Sequence, residues 1–131
     1  MFKEYLLKPL GDELGYLTAI ESGETIPIDI KRVYFMFGNA DSIVRGNHAH
    51  QKSRRFAVCI TGSCRITFKD GKSTETVKLD NYLKCVSLEP MIWQELSEFS
   101  SDCVILVLAN DHFDESDYIR DYEEFLRLIN L

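Results

Sequence analysis

Turn signals recur at short intervals between positions 38 and 90, and the segments between them are long enough for short strands and little else. The signals are Gly38-Asn39, Gly46-Asn47, Gly62-Ser63, Asp70-Gly71, Asp80-Asn81 and the Glu89-Pro90 break. The runs they bound are rich in β-branched and aromatic residues: KRVYFMF (31–37), RFAVCIT (55–61), CRITFK (64–69), TETVKL (74–79), KCVSL (84–88) and CVILVLA (103–109). Residues 65–69 alternate apolar and polar, and Asp70-Gly71 is a strong hairpin turn. A chain punctuated in this way folds as an antiparallel sandwich or barrel.

The end of the chain follows a different period. After Asp114, Tyr118, Ile119, Tyr122, Phe125, Leu126 and Ile129 fall at three- and four-residue steps. The pattern predicts one amphipathic helix with Ser116 as its N-cap and acidic residues in its first turn, where the helix dipole favours them. Its apolar stripe is expected to cover the barrel or a second subunit. The polar face is acidic, the wrong sign for lipid headgroups. With 131 residues, 45% of them apolar, and no repeat or linker, residues 1–131 are expected to form one domain.

Composition excludes several classes. No uninterrupted apolar run reaches the ~18 residues of a membrane span. The opening MFKEYLLKPLGDE carries charges where a secretory signal needs an apolar core. Cys59, Cys64, Cys85 and Cys103 lie scattered in strand-like runs with no CxxC pair, which reads as reduced, buried thiols in a cytoplasmic protein. The net charge of −6 hides an uneven distribution. Residues 31–72 hold nine Lys/Arg against two Asp, whereas residues 94–131 hold ten Asp/Glu against two Arg. An acidic protein with a basic middle is a poor match for long nucleic acid, which needs a broad basic face. It suits a local pocket for a small anion such as a diphosphate. The plainer alternative is a set of solvated strand-edge charges.

Within that basic middle lies RGNHAH (45–50). On a strand, His48 and His50 share one face, which in a small barrel can be the interior. Two chemistries are open to such a pair. Imidazoles bind transition metals, but a catalytic metal generally needs a third protein ligand. The positions four and five beyond His50 are Arg54 and Arg55, which repel cations. His112 sits beside the expected helix start, and only an inward-facing Glu95 would complete a site. Without a metal, two imidazoles can divide proton transfers between adjacent atoms, as isomerising a ketone to its neighbour requires. A cation or phenol beside them would hold the developing oxyanion, and Arg45 and Tyr34 are of that kind.

The runs IPIDIKRVYFMFG (26–38), RGNHAH (45–50), AVCITGSCRITFKDGK (57–72) and PMIWQELSEFSSDCVILVLANDHFDESDYIRDYEEF (90–125) together resemble the dTDP-4-keto-6-deoxyglucose 3,4-ketoisomerases, over nearly the whole chain. The resemblance implies an all-β, cupin-type jelly-roll barrel with one C-terminal α-helix. It implies an isomerase with no metal or other cofactor, and a homodimer with exchanged N-terminal strands. The partner it implies is a dTDP-linked keto sugar bound in the barrel mouth, en route to 3-amino-3,6-dideoxyhexoses of bacterial glycans. By position, His48, His50 and Tyr34 would be catalytic, His50 moving the carbon-bound proton and His48 shuttling a proton between the C3 and C4 oxygens. Substrate would be bound by Arg45, Arg55, Tyr82, Trp93 and Gln94, with an aromatic stacked on the thymine. Leu14, Phe35, Arg55 and Gln94 mark departures from the common pattern of Arg, Tyr, a nearby Gln and His. Three other readings compete: a nucleotide-sugar 3,5-epimerase, a metal-dependent cupin oxygenase and a sugar-nucleotide binder without activity.

Overall fold

Twelve short strands and one α-helix make up the computed structural model, which describes residues 1–130. In chain order the strands are β1 (Glu4–Leu6), β2 (Leu10–Asp12), β3 (Gly15–Leu17), β4 (Arg32–Met36), β5 (Arg45–His50), β6 (Arg55–Thr61), β7 (Cys64–Lys69), β8 (Thr74–Leu79), β9 (Lys84–Leu88), β10 (Trp93–Ser97), β11 (Val104–Ala109) and β12 (Tyr118–Ile119). Helix α1 (Tyr122–Ile129) follows. The six runs expected from turn spacing all form strands. The Asp70-Gly71 hairpin also forms, with the Asp70 carboxylate accepting from the Lys72 and Ser73 amides.

The strands form two antiparallel five-stranded sheets, ordered β1-β9-β6-β11-β4 and β12-β5-β10-β7-β8, with β2-β3 a separate hairpin. The sheets pack face to face as a jelly roll. Between them lie Ala57, Cys59, Ile66, Phe68, Leu79, Val86, Leu96, Ile105 and Val107. Each fully buried Val, Leu, Ile or Phe among them contributes about 1.5–3 kcal/mol, so the interface between the sheets is the main source of stability. The outer face of the first sheet is covered by the segment carrying Ile26 and Ile28, which pack on Phe56, Val58 and Leu108. Strand β6 is therefore buried on both faces, and its apolar run does not alternate. All four cysteines are free and buried. Burial pushes the Cys59 thiol up to about 12 and that of Cys85 up to about 11, far from reactive thiolates.

The tail departs from expectation. Ser116 does not cap the helix: Glu115–Asp117 is a single 3₁₀ turn capped by Asp114, and the helix starts six residues later than Ser116 with Asp121 as its N-cap. Between them Tyr118 and Ile119 are extended and pair with His50 and Ala49 of β5. A free sheet edge with unpaired amides wins over helical period at these two positions. The stripe that remains, led by Phe125, packs on Trp93, Ala49 and Ile119 outside the second sheet. An eight-residue helix is too short to be stable alone, so this contact is what holds it. No helix among the described residues is long and apolar enough to cross a membrane.

Candidate active site

Gly46-Asn47 is not a turn. Both residues lie inside β5, Gly46 at φ 84 and Asn47 at φ 53, where the pairing with β10 shifts register between Gln94 and Glu95. This is a β-bulge. It needs glycine, because a Cβ at position 46 would sit 2.8 Å from the Gln94 carbonyl oxygen. Beyond the bulge, Ala49 points outward to the helix, while His48 and His50 share the inner face with ring centroids 4.9 Å apart. Tyr118 lies against both, 4.9 Å from the His48 ring and 4.2 Å from that of His50.

The two imidazoles are held differently. His48 Nδ1 is 2.9 Å from the Gly46 carbonyl oxygen and donates to it, which leaves Nε2 to accept from the Gln94 amide at 3.2 Å. His50 Nδ1 is 3.0 Å from a carboxylate oxygen of Asp117, while its Nε2 is buried with no partner. Desolvation, helped by the Arg55 guanidinium, pulls His48 down to about 4 against the opposing pull of the Gly46 carbonyl. Desolvation and then Arg55 likewise lower His50, opposed by Asp117. Both rings are neutral at pH 7.

His48 opens onto a cavity of about 600 Å³ at the mouth of the barrel, with His50 directly behind it. Four guanidinium groups, of Arg32, Arg45, Arg55 and Arg120, line this cavity, and among the described residues no carboxylate does. Arg120 is anchored at the rim, paired with Glu115 and set over the Tyr118 ring. Arg45 is exposed and donates to Asn39. Arg32 stacks on Tyr34 and Phe113. Arg55 is only 2% exposed, donates to the Tyr34 hydroxyl at 3.0 Å, and has no acidic partner among the described residues. Burial lowers its pKa from the ordinary value. A buried guanidinium with no carboxylate beside it is costly by itself and suits an anionic ligand.

His48, His50, Tyr34, Arg45, Arg55 and Gln94 are thus brought together. Two expected binding residues are not. Trp93 precedes Gln94 on β10 and points the opposite way, packing on Tyr122 and Phe125 under the helix. Tyr82 is exposed in a separate hollow beside Tyr16 and Leu17. Glu95 also faces outward, accepting from Trp93 Nε1 and pairing with Lys69, so it does not join the histidines as a third metal ligand. His112 is exposed. Sequence reasoning missed Arg32, Asp117, Tyr118 and Arg120. Arg32 was readable, lying two residues before Tyr34 on the same strand face. Asp117 and Tyr118 were hidden by their assignment to the helix.

Paired imidazoles beside a cluster of cations, in the mouth of a jelly roll, define a cupin-class site equipped for proton transfer on an anionic compound. The particular family is equally plain: the chain belongs to the FdtA family (WxcM-like, C-terminal), whose sequence model matches residues 3–130. It is 43% identical over 122 residues to the TDP-4-oxo-6-deoxy-α-D-glucose-3,4-oxoisomerase of Aneurinibacillus thermoaerophilus, covering 93% of this chain and 88% of that protein. Among solved structures, it resembles a histidine-to-asparagine variant of the 3,4-ketoisomerase QdtA from Thermoanaerobacterium thermosaccharolyticum in complex with TDP-4-keto-6-deoxyglucose. There the TM-score is 0.96 at 33% identity, over 98% of this chain and 94% of that one. A 3,4-ketoisomerase from Helicobacter canadensis superposes with a TM-score of 0.95 at 34% identity, over 98% and 97% of the two chains.

Proposed function

We propose that this protein converts dTDP-4-keto-6-deoxy-D-glucose to a dTDP-3-keto-6-deoxyhexose in the cytoplasm, supplying the ketone for a 3-amino-3,6-dideoxyhexose. The observation that carries this reading is the His48–His50 pair set against a cavity lined by four arginines and, among the described residues, by no carboxylate. The cations match the diphosphate, and the imidazoles match the proton transfers. His50, whose Nε2 is unpartnered, takes the proton from C3 and returns it to C4. His48 moves the hydroxyl proton from O3 to O4. The negative charge spread over the two oxygens in the enediolate is met by Arg55 and the Tyr34 hydroxyl that Arg55 holds. No change of oxidation state beyond the internal exchange is needed, and every proton removed is returned.

The test is incubation with dTDP-4-keto-6-deoxyglucose in deuterated water, followed by NMR. A carbonyl that moves from C4 to C3 supports the reading, with protium at C4 where His50 redelivers the proton directly and deuterium where its ring exchanges with solvent first. Deuterium exchange with the carbonyl still at C4 identifies an epimerase, and binding of dTDP without any exchange identifies a carrier.

The active form is a homodimer with exchanged N-terminal strands. What supports this is the apolar surface left open at two places: Val33 and Phe35 on the free edge strand β4 are 54% and 59% exposed, and Leu10, Leu14 and Leu17 on the β2-β3 hairpin are also exposed. Within the chain β1 pairs with its own β9, so the hairpin is the segment available for exchange. Val33→Asp is expected to shift the protein from dimer to monomer in light scattering. A variant that remains dimeric at micromolar concentration would place the contact elsewhere.

A further inference from the structure

We propose that Asp117 is the positioning residue for His50, fixing its tautomer and ring orientation so that Nε2 is left as the bare base. This rests on the ketoisomerase reading above and adds a residue to it. Asp117 is placed by the 3₁₀ turn just before β12, and its side chain is drawn into the barrel rather than into solvent. One carboxylate oxygen accepts from the Lys52 amide at 2.8 Å; the other accepts from the Ser53 amide at 3.2 Å and from His50 Nδ1 at 3.0 Å. The carboxylate itself is held by two backbone donors and cannot rotate away from the ring. A carboxylate only accepts, so Nδ1 must carry the proton and Nε2 must hold the lone pair. That nitrogen has no partner, so its lone pair is free to accept a proton. The same carboxylate stabilises the imidazolium once it forms, and His48 gains no such help because its Nδ1 faces a neutral carbonyl.

Asp117 also ties down the turn at residues 51–53, so the test must separate the two roles. In protein labelled with ¹⁵N-histidine, the unmodified His50 is expected to show a protonated Nδ1 and an unprotonated Nε2. In Asp117→Ala the proton should move to Nε2, and kcat should fall on the order of 10²-fold with KM for the sugar nucleotide nearly unchanged. A His50 already protonated at Nε2 in the unmodified protein overturns the proposal, whether or not the variant folds. So does an Asp117→Ala enzyme with near-normal kcat, or one that loses kcat while His50 keeps its proton on Nδ1. If the unmodified enzyme moves no carbonyl, the functional reading fails, and the tautomer measurement still decides what Asp117 does.

Discussion

Replacing His50 with asparagine is expected to lower turnover of the keto sugar by at least about 10²-fold, the usual loss for a missing acid–base group, with the barrel still folded. Asparagine keeps a side-chain N–H that can donate to Asp117, so the contact with the carboxylate survives while the basic nitrogen is gone. His48→Asn should reduce turnover by a similar factor, because Gly46 and Gln94 still find polar partners but the proton shuttle is removed. The electrostatics add a sign to the pH profile. Burial and Arg55 depress His48 from 6.5 to about 4, so the ring stays neutral through pH 6 and gains its proton only under acid conditions. His50 shifts in the same direction. The acid limb of kcat/KM in the unmodified enzyme should therefore lie well below 6.5, with a flat rate above it. Initial rates followed by NMR from pH 4 to 8, with circular dichroism of each variant, check both points. Near-normal turnover in both variants, or an acid limb centred at 6.5, would remove the histidines from the roles given to them.

Arg55→Leu is expected to move activity and stability in opposite directions. The guanidinium is 2% exposed, has no acidic partner, and leaves its Nε without a hydrogen bond. Holding such a charge away from water is unfavourable in the empty enzyme. A leucine there would lie among Leu88 and Val107, which line the same cavity. Stability should rise by about 1–3 kcal/mol, seen as a melting temperature several degrees higher. Turnover should fall about 10²–10³-fold, the range for losing a preorganised group facing a developing oxyanion, because Tyr34 loses the donor that orients it as well. Calorimetric melting and steady-state rates on the same sample read both effects. A variant that melts lower, or that keeps its rate, would mean that Arg55 is a structural residue.

Much of the architecture could be read from local chemistry. The six strand runs, the Asp70-Gly71 hairpin and the inward pairing of His48 with His50 all follow from period two and turn residues, and these act over a few positions. The failures share a different cause. Gly46-Asn47 looked like a turn because a turn and a bulge both call for positive φ, and only the neighbouring β10 decides between them. Tyr118 and Ile119 fit a helical stripe, yet their amides were claimed by β5, nearly 70 residues earlier. Trp93 was expected in the cavity on resemblance alone. Strand alternation puts it opposite Gln94, and the helix needs an aromatic partner on that outer face. Three of the four arginines were visible within a basic middle, but that Arg55 would be buried without a counter-ion depends on which strand faces which.

The two-residue ribbon of β12 has one further consequence. Its first side chain lies on the His48 and His50 rings and its second on the anchor of the terminal helix, so the tail is fastened to the histidine pair by a single stitch. Loosening the end of the chain is expected to disturb the two imidazoles well before the barrel comes apart.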